Sequence, residues 1–513
     1  MLNLLNPLLD PLLDPLLDPL RDSLLDPLLD NRQKGFPHAS RPLRRSQVGR
    51  QGWNVLQGDL PFPIAVVRQE RLHHNLQWMQ DFARGQGVEL APHGKTTLSP
   101  QLFHRQLQAG AWGMTLANVT QLQVALAAGA KNCLIANQVF AAKDLAQIEH
   151  LKRHHAGLRI VFLVDSLAQL VGIEQWHAQT VGASVGAPAA APVAAPDAAS
   201  VAAPVARSVA QAVNQPPQAF EVLLEIGVAQ GRTGCREHAQ ALQLAQRIKA
   251  SPAVQLVGLE CYEGLGATGH SAGDQAYAAD LMQRVTALAL ACDAAGLFEA
   301  DEVLLSAGGS AIFDLVSGWL TPKLSKPVRG VLRSGCYITH DQGGYQRYAQ
   351  AMQPRLAAWG CGSGLQAALE VWAAVQSTPE PGLAILTVGK RDISYDQEMP
   401  PVLRFCKRGS TQQQAAPEAW KVSALNDQHA YLRTGETNRD AVVAGDAGSA
   451  SAADEVGSAG DAGAAVDAGA LALRVGDLVC LGISHPCTTF DKWRWMPLVD
   501  EDGNVVDALT TCF

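Results

Sequence analysis

The central part of the chain alternates between short apolar runs and longer amphipathic stretches. The amphipathic stretches carry apolar residues at helical spacing, as in VTQLQVALAAGA and YAADLMQRVTALALACDAAG. The apolar runs between them are NCLIAN, RIVFLVD, EVLLEIGV, QLVGLECYEG and EVLLSAGG. A strand followed by a helix, repeated, predicts parallel strands with crossover helices. Five or more such units within about 250 residues, most with runs that are apolar on both faces, favour a (β/α)8 barrel over an open doubly wound sheet.

The pattern changes in the last third of the chain. LEVWAAVQSTPEPGLAILTVGKRDISYD and VGDLVCLGISHPCTTFDKWRWMPLVDEDGNVVDAL alternate at period two, with turn residues between the runs. This alternation is typical of antiparallel strands. We therefore predict an α/β chain with a barrel over 51–330, followed by an antiparallel β domain over 331–513.

Three segments have compositions that disfavour a packed core. Residues 1–50 contain an LLDP repeat, whose prolines remove helical hydrogen bonds, and we predict a mostly disordered tail there. Residues 184–217 are rich in Ala and Pro, and residues 441–470 are rich in Ala and Gly. Such compositions bury too little apolar surface to offset the entropy of ordering, so both insertions are predicted to be surface loops or linkers.

Charge and cysteine content narrow the classes of partner. The 513 residues are 47% hydrophobic and carry a formal net charge of -8, which does not supply the basic field that nucleic acid or an anionic membrane needs. The acidic balance instead favours small-molecule chemistry. No apolar run reaches about 18 residues, so we predict no membrane span. The ten cysteines include no C-x-x-C pair, which predicts reduced thiols in the cytoplasm rather than a disulfide framework.

A lysine follows the predicted first barrel strand in VELAPHGK. Lys95 would then lie at the carboxyl end of that strand, the face where barrels hold their chemistry. A partly desolvated amine there can bond an aldehyde cofactor covalently. A plain surface lysine explains the same position when it is considered alone.

Two glycine-rich turns after later strands are candidates for ligand contacts. EIGVAQGRTGC places Arg232 near the mouth of the barrel. LLSAGGSAIF offers a small-residue turn in which amides and hydroxyls can hold a phosphate, with Ser306, Gly308, Gly309 and Ser310 as the candidates. Each turn alone is also explained as an ordinary loop, but a lysine, an arginine and a phosphate cradle together suit pyridoxal phosphate.

A possible metal site follows in GISHPCTTF. His485 and Cys487 stand two residues apart in a run read as extended, which would put both side chains on one face of a strand. Imidazole and thiolate suit zinc or another divalent transition metal, and two protein ligands leave open positions of the kind that catalytic sites use. An incidental histidine beside a buried cysteine is the alternative.

Five motifs in order complete the pattern: PHGKT, GRTG, SAGGS, LRSGCYITHD and SHPC. Together they resemble the fold-type III pyridoxal-phosphate enzymes of the D-serine dehydratase and D-threonine aldolase group, which are relatives of alanine racemase. The resemblance covers residues 51–513 apart from the two insertions. It implies an alanine racemase-type barrel with a β domain, and a homodimer in which the β domain of one subunit completes the active site of the other.

The resemblance also implies roles for the matching residues. Lys95 would hold the cofactor and take the α-proton of a D-amino acid, and Arg232 would contact the phenolic oxygen of the cofactor ring. Tyr262 matches a tyrosine near the cofactor, the SAGGS turn would bind the phosphate, and His485 and Cys487 would hold zinc against the β-hydroxyl of the substrate. The implied reaction is β-elimination, which converts D-serine into pyruvate and ammonia.

Several alternatives stay open within this resemblance. Aldolases of the group carry His-x-Asp at the metal, so His-x-Cys favours the dehydratase branch. Where relatives often show YHG, this chain has Tyr262-Glu263-Gly264, which leaves D-threonine and 3-hydroxyaspartate as further candidate substrates. A D-threonine aldolase, a racemase and a non-catalytic pyridoxal-phosphate-binding protein are the other functions considered. The segment TVGKRDISYD is read only as a polar strand end.

Overall fold

The computed structural model describes residues 22–186, 217–358, 362, 364–435 and 472–513. The predictions made for residues 1–21, for 187–216 within the Ala/Pro-rich insertion and for the whole insertion 441–470 lie outside these residues.

Eight parallel strands form a nearly closed barrel. In chain order the strands are Glu89–Leu90, Met114–Leu116, Asn132–Gln138, Arg159–Val164, Phe220–Ile226, Val254–Cys261, Val303–Ala307 and Val328–Leu332. The last strand pairs with the first, and an isolated bridge between His93 and Thr115 links the first strand to the second. The barrel predicted from the alternating pattern is therefore confirmed, and each of the five apolar runs is one of its strands.

A helix follows each barrel strand. These helices are Pro100–Gln108, Leu122–Ala127, Ala142–His154, Leu167–Gly186, His238–Lys249, Ser271–Ala294, Phe313–Ser317 and Gly344–Ala358, and a further helix, Gln69–Gly85, precedes the first strand. Among the described helices, none is both long and apolar enough to cross a membrane.

Aliphatic side chains fill the inside of the barrel. One contiguous buried cluster holds Ala91, Leu134, Val161, Leu163, Leu223, Val257, Leu304 and Val331. These residues belong to runs that are apolar on both faces, because one face packs inside the barrel while the other packs against the helices. The barrel is therefore a packed scaffold, and its chemistry is confined to the ends of its strands.

The second domain is a ten-stranded, mainly antiparallel sheet. Its strands are Ile64–Arg68, Leu369–Glu380, Leu383–Leu386, Val402–Cys406, Gln414–Ala415, Lys421–Leu425, Ala430–Arg433, Leu478–Gly482, Trp495–Val499 and Val505–Thr510. The predicted antiparallel domain is thus present, but its predicted boundaries differ from the structure.

Two strands do not follow the predicted division into domains at residue 330. Ile64–Arg68 was assigned to the barrel, yet it pairs with Leu369–Trp372 and with Leu498–Val499 in the second sheet. Val328–Leu332 extends past residue 330 and is the last barrel strand. The barrel is therefore inserted between the first strand of the β domain and the rest of that domain.

The described part of the N-terminal segment is folded, so the prediction of a tail over 1–50 is wrong for residues 22–50. Leu29, Phe36 and Val48 are fully buried. The Phe36 ring lies 5.4 Å from that of Trp495 in an edge-on arrangement, and Lys34 pairs with Asp392 at 2.9 Å. Proline disfavours a helix but permits extended chain, and extended chain with intervening apolar residues can pack on a neighbouring sheet.

Candidate active site

A cavity of about 290 Å³ opens at the carboxyl ends of the barrel strands. Both domains line it, and its walls include His93, Lys95, Thr96, Arg232, Tyr262, Gly308, Ser310, Arg333, Cys336, His485 and Cys487. Its volume is near the lower end of the range for small-molecule sites, which is roughly 300–1,000 Å³. A single chain therefore brings the lysine, the arginine and the candidate metal pair into one pocket.

Lys95 stands in a short 3-10 turn, Gly94–Thr96, just beyond the first barrel strand. A side chain at position 94 would overlap the Phe103 ring, since a Cβ there would lie 2.3 Å from it. The side chain of Lys95 is accessible through the open pocket. Burial by the surrounding protein lowers the pKa of Lys95, and the positive charges of Arg232 and Arg333 also lower it.

His93 lies beside this lysine and is neutral. Burial lowers the pKa of His93 well below its ordinary value, and the nearby positive charges of Lys95, Arg333 and Arg232 lower it further. Its Nδ1 accepts a hydrogen bond from the Lys95 amide at 3.4 Å. A neutral imidazole next to Lys95 adds no positive charge to the pocket.

Arg232 lies over the ring of Tyr262. The guanidinium carbon is 4.9 Å from the ring centroid, which is within cation–π distance. Burial raises the pKa of Tyr262, so its hydroxyl remains protonated. Both residues line the pocket that holds Lys95, as their predicted roles require.

Two of the four residues predicted to hold a phosphate line the pocket, and two do not. Gly308 and Ser310 line the pocket, and the Ser310 hydroxyl accepts hydrogen bonds from the amides of Gly335 and Cys336 at 3.2 and 3.3 Å. Ser306 is buried within its strand, where its hydroxyl donates to the Val331 carbonyl at 2.9 Å. In this structure the Ser306 hydroxyl therefore does not face the pocket, which its predicted role as a phosphate ligand would require.

Glu263 occupies the amides of the glycine turn. Its carboxylate accepts hydrogen bonds from the amides of Gly308 and Gly309, at 3.0 and 2.6 Å, and its side chain is fully buried. Burial raises the pKa of Glu263, while these amides and Arg333 oppose the rise. The predicted cradle thus already has an anionic partner, supplied by the residue that departs from the YHG pattern.

Arg333 forms the polar floor of the pocket, and no sequence pattern had assigned it a role. It donates to Glu260 at 2.5 Å and to the Ser306 hydroxyl at 2.6 Å. Burial raises the pKa of Glu260 to about 7, although Arg333 opposes this rise. Arg333 and Glu260 are nearly inaccessible to solvent. Together with Ser306, they connect the ends of three neighbouring barrel strands.

His485 and Cys487 do not lie on a strand, contrary to the prediction. The strand Leu478–Gly482 ends before them, and Pro486 begins the short helix Pro486–Phe490. Proline is favoured at the first position of a helix because its missing amide donor is not needed there. His485 precedes this helix and Cys487 lies in its first turn, yet both side chains line the pocket.

Asp396 orients His485, and sequence reasoning missed it. The Nδ1 atom of His485 lies 2.5 Å from Asp396 Oδ2, and Thr488 donates to Asp396 Oδ1 at 2.7 Å. Partial burial would raise the pKa of Asp396, but these two hydrogen bonds hold it below its ordinary value. A carboxylate on Nδ1 leaves Nε2 to bind a metal, as in many zinc sites.

A second thiol lies beside Cys487. The Sγ atoms of Cys336 and Cys487 are 3.7 Å apart, and Thr96 Oγ1 lies 3.7 and 3.6 Å from these two sulfurs. The hydrogen bond between Cys487 and Cys336 lowers the pKa of Cys336. Within the described residues, no three His, Cys, Asp or Glu side chains are already gathered as a complete metal site.

Comparison with known proteins was consistent with this fold and site. Residues 368–499 match the family model of a putative serine dehydratase domain. A D-threonine aldolase of Arthrobacter sp. is 26% identical over 371 residues, which are 72% of this chain and 79% of the aldolase. The D-threo-3-hydroxyaspartate dehydratase of Delftia sp. (strain HT23) is 35% identical over 109 residues, or 21% of this chain and 28% of the dehydratase.

Solved structures show the same fold. The crystal structure of D-threonine aldolase from Filomicrobium marinum superposes with a TM-score of 0.61 at 21% identity, covering 88% of this chain and 95% of the aldolase. The fold and site thus define an alanine racemase-like barrel protein with a lysine at the barrel mouth. More particularly, the matches and the motifs together support a resemblance to the fold-type III pyridoxal-phosphate enzymes of the D-serine dehydratase and D-threonine aldolase group. Its relatives are lyases acting on small D-amino acids.

Proposed function

We propose that the protein is a pyridoxal-phosphate- and zinc-dependent dehydratase of D-serine or a closely related β-hydroxy D-amino acid. The products are an α-keto acid and ammonia. The observation that carries this proposal is the shared cavity, in which Lys95 and the pair His485 and Cys487 face the same space.

The pocket residues fit the cofactor. Lys95 offers the amine, Arg232 and Tyr262 lie together as one wall, and Ser310 lies where the last two barrel strands end, the usual phosphate position in such barrels. Bound there, pyridoxal phosphate would supply an electron sink that makes the α-proton of the substrate acidic. Lys95 removes that proton, and its lowered pKa increases the fraction of amine that can act as a base near neutral pH.

The metal side of the pocket serves the leaving group. His485 and Cys487 would hold the metal, and the contact of Asp396 with Nδ1 favours the tautomer and orientation of His485 that present Nε2. Zinc bound there would act as a Lewis acid on the β-hydroxyl. A thiolate ligand favours zinc over magnesium or manganese, which prefer oxygen ligands.

The charges of the pocket favour a neutral β-substituent. Among the described residues that line it, Arg333 is paired with Glu260, the pKa of His93 is well below its ordinary value, and Arg232, which lies over Tyr262, is proposed to contact the cofactor. A second carboxylate, as in 3-hydroxyaspartate, would need a positive partner of its own. D-serine and D-threonine therefore fit this pocket better.

Retro-aldol cleavage of D-threonine is the second candidate, because the Arthrobacter aldolase matches 72% of the chain. Assembly as a homodimer is a further part of the proposal and rests on the resemblance to the family. Cys487 contacts the barrel of its own chain and His485 lines the same pocket, so a partner subunit is not needed to supply the metal pair.

Purified protein supplied with pyridoxal phosphate and zinc tests the proposal. We expect a visible absorbance band of lysine-bound cofactor, and pyruvate from D-serine but not from L-serine, measured with lactate dehydrogenase and loss of NADH absorbance. Chelation of the metal should abolish pyruvate formation while the absorbance band remains. Glycine and acetaldehyde from D-threonine without pyruvate from D-serine would assign the aldolase reaction, and bound cofactor without either product would refute both.

A further inference from the structure

The segment LRSGCYITHD contributes a cysteine that the proposed function does not use. Cys336 begins the 3-10 turn Cys336–Ile338, just past the last barrel strand. It is buried, and it lines the same cavity as Lys95, His485 and Cys487. Its amide donates to the Ser310 hydroxyl at 3.3 Å, so its backbone is anchored to the neighbouring turn.

We propose that Cys336 is a third protein ligand of the metal, beside His485 and Cys487. The inference deepens the proposed function and rests on it. The centre would then be a Cys2His site with one open position, which is a known ligand set of catalytic zinc.

The spacing of the two sulfurs supports this assignment. Two thiolates bound to one tetrahedral zinc ion, each about 2.3 Å from the metal, are about 3.8 Å apart. The Sγ atoms of Cys336 and Cys487 are 3.7 Å apart. They come from different domains, so no local turn brings them together.

The residues around the two sulfurs also support a metal ion between Cys336 and Cys487. Thr96 Oγ1 contacts both sulfurs, at 3.7 Å from Cys336 and 3.6 Å from Cys487. Thr96 follows Lys95 in the chain, so an ion between the sulfurs would lie close to the proposed base. His485 lines the same cavity and has its Nδ1 already engaged by Asp396.

A third ligand changes what the centre can do. Two thiolates and an imidazole form a soft ligand set that favours zinc and disfavours magnesium and manganese. A tetrahedral ion with three protein ligands keeps a single position for an exchangeable ligand. The β-hydroxyl of the substrate would take that position, which holds the hydroxyl in one orientation relative to Lys95.

The test uses the full chain loaded with pyridoxal phosphate and compares wild type with C336S, C336A and C487S. Cys512, which is partly buried outside the pocket, gives the matched control C512S. Zinc affinity is measured by competition with a chromophoric chelator. Cobalt substituted for zinc reports the thiolates through their charge-transfer absorbance.

We expect C336S and C336A to lose zinc affinity by more than about 100-fold, because loss of an outer-shell partner alone costs roughly 10- to 100-fold. The charge-transfer absorbance of cobalt should fall to about half when one of two thiolates is removed. C512S should match wild type in both measurements.

Unchanged affinity and undiminished charge-transfer absorbance in C336S, with both lost in C487S, would overturn the inference and leave the proposed function standing. A wild-type protein that binds neither zinc nor cobalt would overturn both. Zinc-edge X-ray absorption of the wild type keeps the inference testable if the variants do not fold. Two sulfur neighbours per zinc support the inference, and one sulfur overturns it.

Discussion

Replacing Asp396 by Asn tests how the protein prepares His485 to bind a metal. In the wild type, Asp396 lies 2.5 Å from Nδ1 of the imidazole and is itself held by Thr488 at 2.7 Å. The carboxylate accepts a hydrogen bond from the tautomer with the proton on Nδ1, and that tautomer leaves Nε2 free to bind a metal. An asparagine amide can instead donate to Nδ1, which favours the tautomer with the proton on Nε2, and that tautomer cannot coordinate zinc.

The expected loss is that of an outer-shell partner. Removing such a partner weakens metal binding by roughly 10- to 100-fold, which corresponds to about 1.4–2.7 kcal/mol. Zinc affinity of D396N is measured by competition with a chromophoric chelator, and pyruvate formation is measured at limiting and saturating zinc. We expect the activity of D396N to recover in large part when zinc is saturating.

A matched substitution controls for the loss of an exposed carboxylate. Asp427 pairs with Arg391 at 3.3 Å, and both side chains are 70% exposed, so D427N should bind zinc as the wild type does. The reasoning is refuted if D396N and D427N have the same zinc affinity. It is also refuted if saturating zinc restores nothing, since that result would place Asp396 in the chemical step rather than in positioning.

Three further substitutions test other parts of the structure. K95A should remove both the absorbance band of bound cofactor and all turnover while the circular dichroism spectrum stays unchanged; residual turnover would assign the base elsewhere. E263Q removes a negative charge from the amides of the glycine turn and should tighten binding of pyridoxal phosphate several-fold in a fluorescence titration of the apoprotein; weaker binding would show that the carboxylate shapes the cradle. Glu370 is a fully buried carboxylate that pairs with Arg68 and Arg404. E370Q leaves these two arginines without a negative partner and should lower the free energy of unfolding, measured with denaturant, by about 3–5 kcal/mol. Burial would raise the pKa of Glu370, but Arg68 and Arg404 hold it below its ordinary value, so its contribution is present above the unfolded-state pKa and is lost as pH falls through the folded-state pKa. Unfolding measured from pH 7 downward should therefore show the wild type approaching E370Q in stability.

The barrel was predictable because its strands have a local signature. A parallel strand packed on both faces reads as a continuous apolar run, and RIVFLVD is the strand Arg159–Val164. IAVVR, residues 64–68, has the same signature but belongs to the other sheet. These five residues alone do not determine which sheet the strand joins, because a strand that pairs with it lies about 300 residues further along the chain.

The site was predictable only where the type of a residue and its local sequence position are themselves typical of a known chemistry. A lysine beyond a strand and a histidine near a cysteine are such cases, and Lys95, His485 and Cys487 indeed share the pocket. Asp396 and Cys336 acquire their places through contacts between residues 89 and 151 positions apart. Asp396 stands in TVGKRDISYD, the segment read only as a polar strand end.

Ser306 shows the opposite case, in which the residue type was found but its orientation was not. SAGGS has the composition of a phosphate turn, but composition does not state which hydroxyl faces the cavity. Ser306 still lies within the strand Val303–Ala307, where successive side chains alternate in direction, and its hydroxyl is turned toward Val331 and Arg333.

The insertion of the barrel into the β domain has a consequence during synthesis. The strand Ile64–Arg68 is buried along its whole length in the folded protein, and its partner strand begins at Leu369. At roughly 5–20 residues per second, the ribosome needs roughly 15–60 s to reach that partner. Throughout that time an apolar segment waits unpaired while the complete barrel emerges behind it. The nascent chain therefore exposes this apolar strand for most of its own translation, and a chaperone that binds the strand is the natural place to look for limits on the yield of the folded protein.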